Sequence, residues 1–409
     1  MFNSEFADKL AKLTLKKGVN LEKGQCLLIA TPPKAYEYAS AIAMEAYRMG
    51  AKYVKIDVVD PNVNAVRANV QKNDDITFVP HFMDAFSYEA GVEGWARIRI
   101  DSPDDTLTQM KYEDMDNASR MQRAMKERQN IIGQYYMKNL LPWNVCCVPG
   151  PIMAKAVLGK CGTEEELLEV MNKVYRFDQE DFLSAWDRFD EDSIRRCKAI
   201  NSCNIKELHL KSSVTDLHVG LRPEARFGGG SARTPNGRSF FPNLPTEEIF
   251  STPDMYNVNG YVKTTRPVPV LNEMTEGVTF YIHDGYIERA EAEKGQDIID
   301  TYLDTDEGTR RLGEIALVDE KSPIAETGLV FGSILIDENA SCHMAIGAGY
   351  SNCLEGGAEC RNDEELHELG INTSSMHVDF MIGSKDMTIT ALTYEGKKVT
   401  IMQNGSFVI

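Results

Sequence analysis

The run from Gly24 to Val59 constrains the fold more than any other stretch of this chain. Gly24 precedes a compact apolar segment, Cys26 to Ala30, and Pro32-Pro33 supplies a turn. Ala35 to Met49 then carries helical periodicity, Gly50 stops it, and Tyr53 to Val59 is a second strand-like run. Strand, helix and strand in that order make a βαβ unit, which implies a parallel sheet with helices on its faces. Ala96 to Ile100 and Asn144 to Val148 are further strand candidates, and roughly Asp105 to Asn139 reads as a long polar surface helix. Thr163 and Glu166 are spaced as a capping box, with helical character continuing to about Ile200.

After Asn201 the texture changes to short strands separated by turns. Glu207 to Leu210 and Thr215 to Val219 come first, and Val278 to His283 joins Tyr286 to Ala290 through Asp284-Gly285, a strong hairpin signal. Met387 to Tyr394, Val399 to Met402 and an Asn404-Gly405 turn repeat the pattern at the end. A length of 409 residues suits two domains. The expected division is therefore an α/β domain with a parallel sheet over residues 1–200 and a sheet-rich α+β domain over 201–409, the second carrying the active site.

Charge and cysteine usage narrow the function classes. Lysine and arginine number 44 against 62 aspartate and glutamate, a net charge of -18. That excess repels phosphate backbones, and with no basic run a nucleic-acid partner is not expected. No window reaches the apolar length of a membrane span, so no membrane partner is expected either. Met1 to Gly18 mixes charges with apolar positions and lacks the hydrophobic stretch of a signal peptide. Nine scattered cysteines point to a reduced, cytoplasmic compartment.

The chemistry concentrates in the second half. In Ser374-Ser375-Met376-His377-Val378-Asp379-Phe380-Met381, an imidazole and a carboxylate stand two residues apart inside an apolar run. On a strand they leave the same face, while Met376, Val378 and Phe380 turn to a core. Taken alone, such a pair is a buried hydrogen bond that supports packing. Three further features change the weighing: the proline-stiffened Pro242-Asn243-Leu244-Pro245-Thr246-Glu247-Glu248, the carboxylate of Glu314 opening an apolar run, and His343 with Tyr350 in Cys342-His343-Met344-Ala345-Ile346-Gly347-Ala348-Gly349-Tyr350. Uncompensated buried charges are expensive, so these groups are expected to be paired with each other or with metal. Three carboxylates and two imidazoles exceed a closed structural zinc site and suit two divalent ions sharing a bridging carboxylate and a water.

The string PNLPTEE, the pattern His343-x-Ala345-x-Gly347-x-x-Tyr350, and N-x-S-x-x-H-x-D-F-M-I-G from Asn372 to Gly383 resemble the M29 metallo-aminopeptidases of the aminopeptidase T and aminopeptidase S group. The resemblance implies a cytoplasmic, homodimeric exopeptidase that uses two divalent metals (zinc, cobalt or manganese, with magnesium possible) to remove N-terminal amino acids from peptides. Matched motif by motif, the family's metal ligands fall on Glu248, Glu314, His343, His377 and Asp379, and its active-site tyrosine on Tyr350.

Two other readings compete. His343, His377 and Asp379 alone form the 2-His-1-carboxylate triad of a mononuclear non-haem iron oxygenase, against which Glu248 and Glu314 argue, because an iron triad needs open positions. A nucleotide-binding protein is argued against by Thr31-Pro32-Pro33, which lacks the glycines of a phosphate loop. His367-Glu368 begins an H-E-x-x-H pattern, but the fifth position is Ile371, and there is no G-x-S-x-G nucleophile elbow.

Overall fold

A computed structural model describes residues 3–71, 73–271 and 273–409. The βαβ unit forms as the sequence predicts: strand β1 (Cys26–Thr31) and strand β2 (Tyr53–Val58) lie parallel, joined through helix Tyr36–Arg48. That helix buries Tyr38, Ala39, Ile42, Ala43 and Ala46, one apolar stripe at helical spacing. Gly50 ends the connection at φ 93°, a conformation glycine adopts without a Cβ penalty. Strand β3 (Ala96–Asp101) pairs parallel with β1, and strand β4 (Trp143–Cys147) pairs parallel with β3.

Two expected helices are shorter than their sequence patterns. The polar stretch from Asp105 divides into a single turn, Pro103–Thr106, and a helix at Met115–Met137. Asp114 sets the later start, because its side chain accepts the Asn117 N–H as an N-cap. The capping box at Thr163 opens helix Glu164–Val174 as read, but the helical run breaks before resuming at Phe182–Ser202. Arg176 sits between them at φ 59°, outside helical space.

The chain divides into two compact units, Met1–Trp186 with Ser231–Pro245, and Asp187–Gly230 with Thr246–Ile409. The first cut thus lies inside helix Phe182–Ser202, and a later segment returns to the first unit instead of staying beyond residue 200. The return has a local cause: Asn243–Leu244 adds to the parallel sheet beside β4, and the Asn144 side chain donates to Phe241 O at 2.8 Å.

Two large sheets build most of the second unit. One has eight antiparallel strands, including Ile205–Lys211, Asp216–Gly220 and the predicted hairpin Thr279–His283 with Tyr286–Glu291. Asp284 and Gly285 both have positive φ, the geometry that the hairpin signal requires. The other sheet contains strand β5 (Glu248–Ser251), strand β6 (Leu312–Val318), strand β7 (His343–Gly347) and strand β8 (His377–Met381) in spatial order β8-β7-β6-β5, all antiparallel. Leu208, Leu210, Leu217, Val219 and Phe280 from the first sheet share one core with Ile315, Leu317, Met344, Ile346 and Phe380 from the second. Phe280 and Phe380 meet edge to face with centroids 5.0 Å apart. That core fixes the side chains on one face of β5–β8, which leaves the opposite face for chemistry.

Candidate metal centre

Strand register brings the five predicted ligands to one face. Glu314 lies opposite Ala345, which lies opposite Asp379; His343 lies opposite Ala316; His377 lies opposite Gly347; and Glu248 lies opposite Val318. Because side chains alternate along each strand, these positions all leave the sheet on the same side. Three of the residues facing the ligands across the ladder, Ala316, Ala345 and Gly347, are small. A Cβ at Gly347, whose φ is 114°, would collide with Met376 O, so glycine is required for β7 and β8 to approach.

The polar atoms then converge. His343 Nε2 lies 3.1 Å from Glu248 Oε2, and His377 Nε2 lies 3.3 Å from both Glu314 Oε2 and Asp379 Oδ1. Among the described residues Glu314 has His377, not an arginine, as its charged neighbour. Glu314 and His343 are fully buried, at 3% and 1% exposure. Tyr350 Oη stands 3.4 Å from His377 Nε2, and the Tyr350 backbone is pinned by a two-way exchange with the Thr252 hydroxyl.

Each histidine is held by its other nitrogen. His343 Nδ1 contacts Ser341 O at 3.1 Å and His377 Nδ1 contacts Ala348 O at 2.7 Å. A carbonyl oxygen only accepts, so both Nδ1 atoms carry protons and both Nε2 lone pairs face carboxylates. Acceptor facing acceptor is unstable unless a proton or a cation stands between them. Burial works against the protonated imidazoles, yet Glu248 raises His343 to about 10, and Asp379 with Glu314 raises His377 to about 11. Burial also pushes Glu314 up to about 7. For Asp379 burial works the same way but His377 outweighs it and holds the carboxyl low.

These observations test the fit of a divalent cation, and the residues pass. Two triads of ligating atoms, Glu248–Glu314–His343 and Glu314–His377–Asp379, each have all their atoms within 4.8 Å of one another. Among the described residues, Asp379 Oδ1 is buried without a hydrogen bond of normal geometry, and both imidazoles are set in the tautomer that ligates through Nε2. A carbonyl behind each histidine is the outer arrangement that metal sites use to fix the ring.

One group in this neighbourhood was invisible to sequence reasoning. Glu338 follows the short helix Ile334–Asp337, and burial together with the Asp379 and Glu248 charges pushes its carboxyl well above the ordinary range. Asn339 beside it accepts the Glu247 N–H at 2.7 Å, which ties this turn to the residue before Glu248. No periodicity or motif marks Glu338, since its place depends on how the turn folds back.

Residues 3–407 match the family model described as thermophilic metalloprotease (M29). The chain belongs to the M29 metallopeptidase family. Among curated relatives of this M29 protein, aminopeptidase 2 of Geobacillus stearothermophilus is 34% identical over 406 residues, covering 98% of this chain and 97% of that one. Aminopeptidase T of Thermus thermophilus is 34% identical over 407 residues, with 98% of each chain covered. Aminopeptidase PepS of Streptococcus thermophilus is 31% identical over 410 residues, covering 99% of this chain and 98% of the relative. The solved structure of wild-type AmpT from Thermus thermophilus superposes with a TM-score of 0.88 at 32% identity, covering 99% of this chain and all of that one. As an M29 member the chain is a metal-dependent hydrolase of peptide bonds. Among its described residues no helix is long and apolar enough to cross a membrane.

Proposed function

We propose that this M29 peptidase is an aminopeptidase with a dinuclear centre, its two divalent ions held by Glu248, Glu314, His343, His377 and Asp379, with Glu314 shared between them. The observation that carries this reading is the overlap of the two ligand triads at Glu314. When bound, the ions supply a water of lowered pKa and polarise the scissile carbonyl. Zinc, cobalt or manganese suits the mixed imidazole and carboxylate set, with magnesium a poorer match for the histidines.

The chain's own groups do the rest. Tyr350, its phenol pushed well up by burial and the surrounding carboxylates, stays protonated and donates a hydrogen bond to the oxygen that gains charge as the peptide carbonyl is attacked. The concentration of Glu248, Glu314, Glu338 and Asp379 favours a substrate's free α-ammonium, which is the electrostatic basis for acting at N-termini. Met376, Val378 and Phe380 pack on the core side of β8 and hold His377 and Asp379 in place. The names of the curated relatives agree with aminopeptidase action. Homodimerisation rests on the family resemblance, and a cytoplasmic location on that resemblance together with the scattered cysteines. The mononuclear iron reading loses its ground, because the family is that of metallopeptidases and both extra glutamates converge on the histidines.

Metal analysis combined with a substrate panel tests the proposal. Two zinc, cobalt or manganese ions per chain and hydrolysis of aminoacyl anilides, lost when the substrate amine is acetylated, are the expected results. Equal rates on acetylated substrates, or one iron per chain with oxygen uptake, would overturn it.

A further inference from the structure

A second cluster of ligating side chains lies on the eight-stranded sheet, apart from the residues already discussed. In the pair Ile205–Lys211 and Asp216–Gly220, His209 stands directly opposite His218 and Lys211 opposite Asp216. Leu208, Leu210, Leu217 and Val219 alternate with them and fill the core, so the two histidines and Asp216 share the outer face. The imidazole rings stack with centroids 4.1 Å apart and planes 9° from parallel.

The hydrogen bonds decide where the protons sit. His218 Nδ1 lies 2.8 Å from Glu207 Oε1, and because an ionised carboxylate only accepts, that nitrogen carries the proton. His218 Nε2 therefore presents a lone pair, and it faces Asp216 Oδ1 at 4.0 Å. The same Oδ1 receives His209 Nε2 at 2.7 Å, while Lys211 Nζ holds Oδ2 at 2.9 Å. With Lys211 on Oδ2, Oδ1 is left to the two Nε2 atoms, at 2.7 Å from His209 and 4.0 Å from His218. Two imidazole nitrogens and one carboxylate oxygen thus converge, with a second carboxylate behind one ring, the carboxylate–histidine arrangement that raises ligand basicity and fixes orientation.

We propose that His209, His218 and Asp216 form a second, solvent-accessible site for one transition-metal ion of the zinc, nickel or copper(II) class, with Glu207 as the positioning residue for His218. Imidazole nitrogens select these metals over calcium and magnesium. Binding shifts the proton of His209 from Nε2 to Nδ1 and small rotations about both side chains bring the Nε2 atoms onto the ion. With side-chain exposures of 31%, 43% and 33% for His209, His218 and Asp216, the remaining coordination positions are open to water. The site therefore fills and empties independently of the buried centre.

The test uses the holoenzyme with its buried centre loaded. In equilibrium dialysis against zinc, wild type takes up one ion more per chain than the His209→Ala/His218→Ala double variant. Glu207→Gln retains the extra ion with affinity about 10- to 100-fold weaker, the usual effect of losing an outer partner. One equivalent of copper(II) shows two coupled nitrogens by electron paramagnetic resonance in wild type and one in His218→Ala. Circular dichroism and peptidase rate stay at wild-type values in all three variants, which separates this site from the buried one. Equal zinc uptake by wild type and the double variant, or a copper signal unchanged in His218→Ala, overturns the proposal.

Discussion

The two large sheets of the second unit each carry a pair of histidines clustered with carboxylates, His343 with His377 and His209 with His218, and the pairs differ in burial. At the sheet of β5–β8, Glu314 and His343 are sealed, and burial raises the Glu314 carboxyl to about 7 while the surrounding carboxylates lift both imidazoles to about 10 or 11. At the eight-stranded sheet, Asp216 is open to water, and Lys211 and His209 instead hold its carboxyl down at about 2. Similar ligand types therefore produce opposite electrostatics. In the buried set desolvation means that a proton or a metal cation must stand between the histidines and carboxylates; in the exposed set water already screens them, and a cation is optional.

The strongest way to break this comparison is to remove a buried ligand. Asp379→Ala and Glu314→Ala should each reduce peptide hydrolysis to background and lower metal content in parallel, whereas His209→Ala should leave the rate alone. Full activity in Asp379→Ala would make the assignment wrong. Chelation comes next in size. An ion held at a thousandfold its dissociation constant stabilises the native state by about 4 kcal/mol, so stripping the buried centre should lower the melting temperature by several degrees in a calorimetric scan. If metal-free and metal-loaded protein melted together, the buried carboxylates would not depend on a cation.

Tyr350→Phe sharpens the contrast without touching a ligand. Losing one preorganised donor to a developing oxyanion costs about 10²- to 10³-fold in kcat. Metal content should stay at the wild-type value, because Tyr350 Oη contacts His377 Nε2 only at 3.4 Å while the ring is held independently by its packing on Phe250. A drop confined to KM would move Tyr350 from the chemistry to substrate binding.

The contrast also explains what was legible in the sequence. His377 and Asp379 sit two apart on one strand, so their shared face follows from the period of a strand alone. His343 and Glu314 required the family motif or the register, since nothing in their own strands states that Glu314 lies opposite Ala345 and Asp379. The His209–His218 pair was missed although both strands were anticipated within a residue or two, because cross-strand opposition depends on the turn between them. The first four parallel strands were readable from apolar runs, but the return of Asn243–Leu244 to that sheet was not: a two-residue strand has no period. Glu338 was hidden for a similar reason, lying on a turn whose approach to Asp379 is purely tertiary.

The smallest expected effect concerns what holds the start of β8. Asp306 accepts the Ser374 hydroxyl at 2.8 Å, and both the N–H and the hydroxyl of Ser375, at 2.9 and 2.7 Å, fixing the segment that delivers His377. Partial burial works against this carboxylate, but the donors of Ser375 and Ser374 outweigh it and lower its pKa in the folded protein. A depressed carboxylate contributes stability that is fully present above its unfolded value, near 3.9, and that is lost as pH falls through the lower folded value. Asp306→Asn removes the charge and should cost about 1 kcal/mol near neutral pH, below the usual range for hydrogen bonds to a charged group because solvent reaches the site. The gap in melting temperature between wild type and Asp306→Asn should then narrow as pH drops below about 4. A gap that stayed constant from pH 7 to pH 3 would mean that the aspartate acts through shape alone, and that the anchoring of β8 owes nothing to its charge.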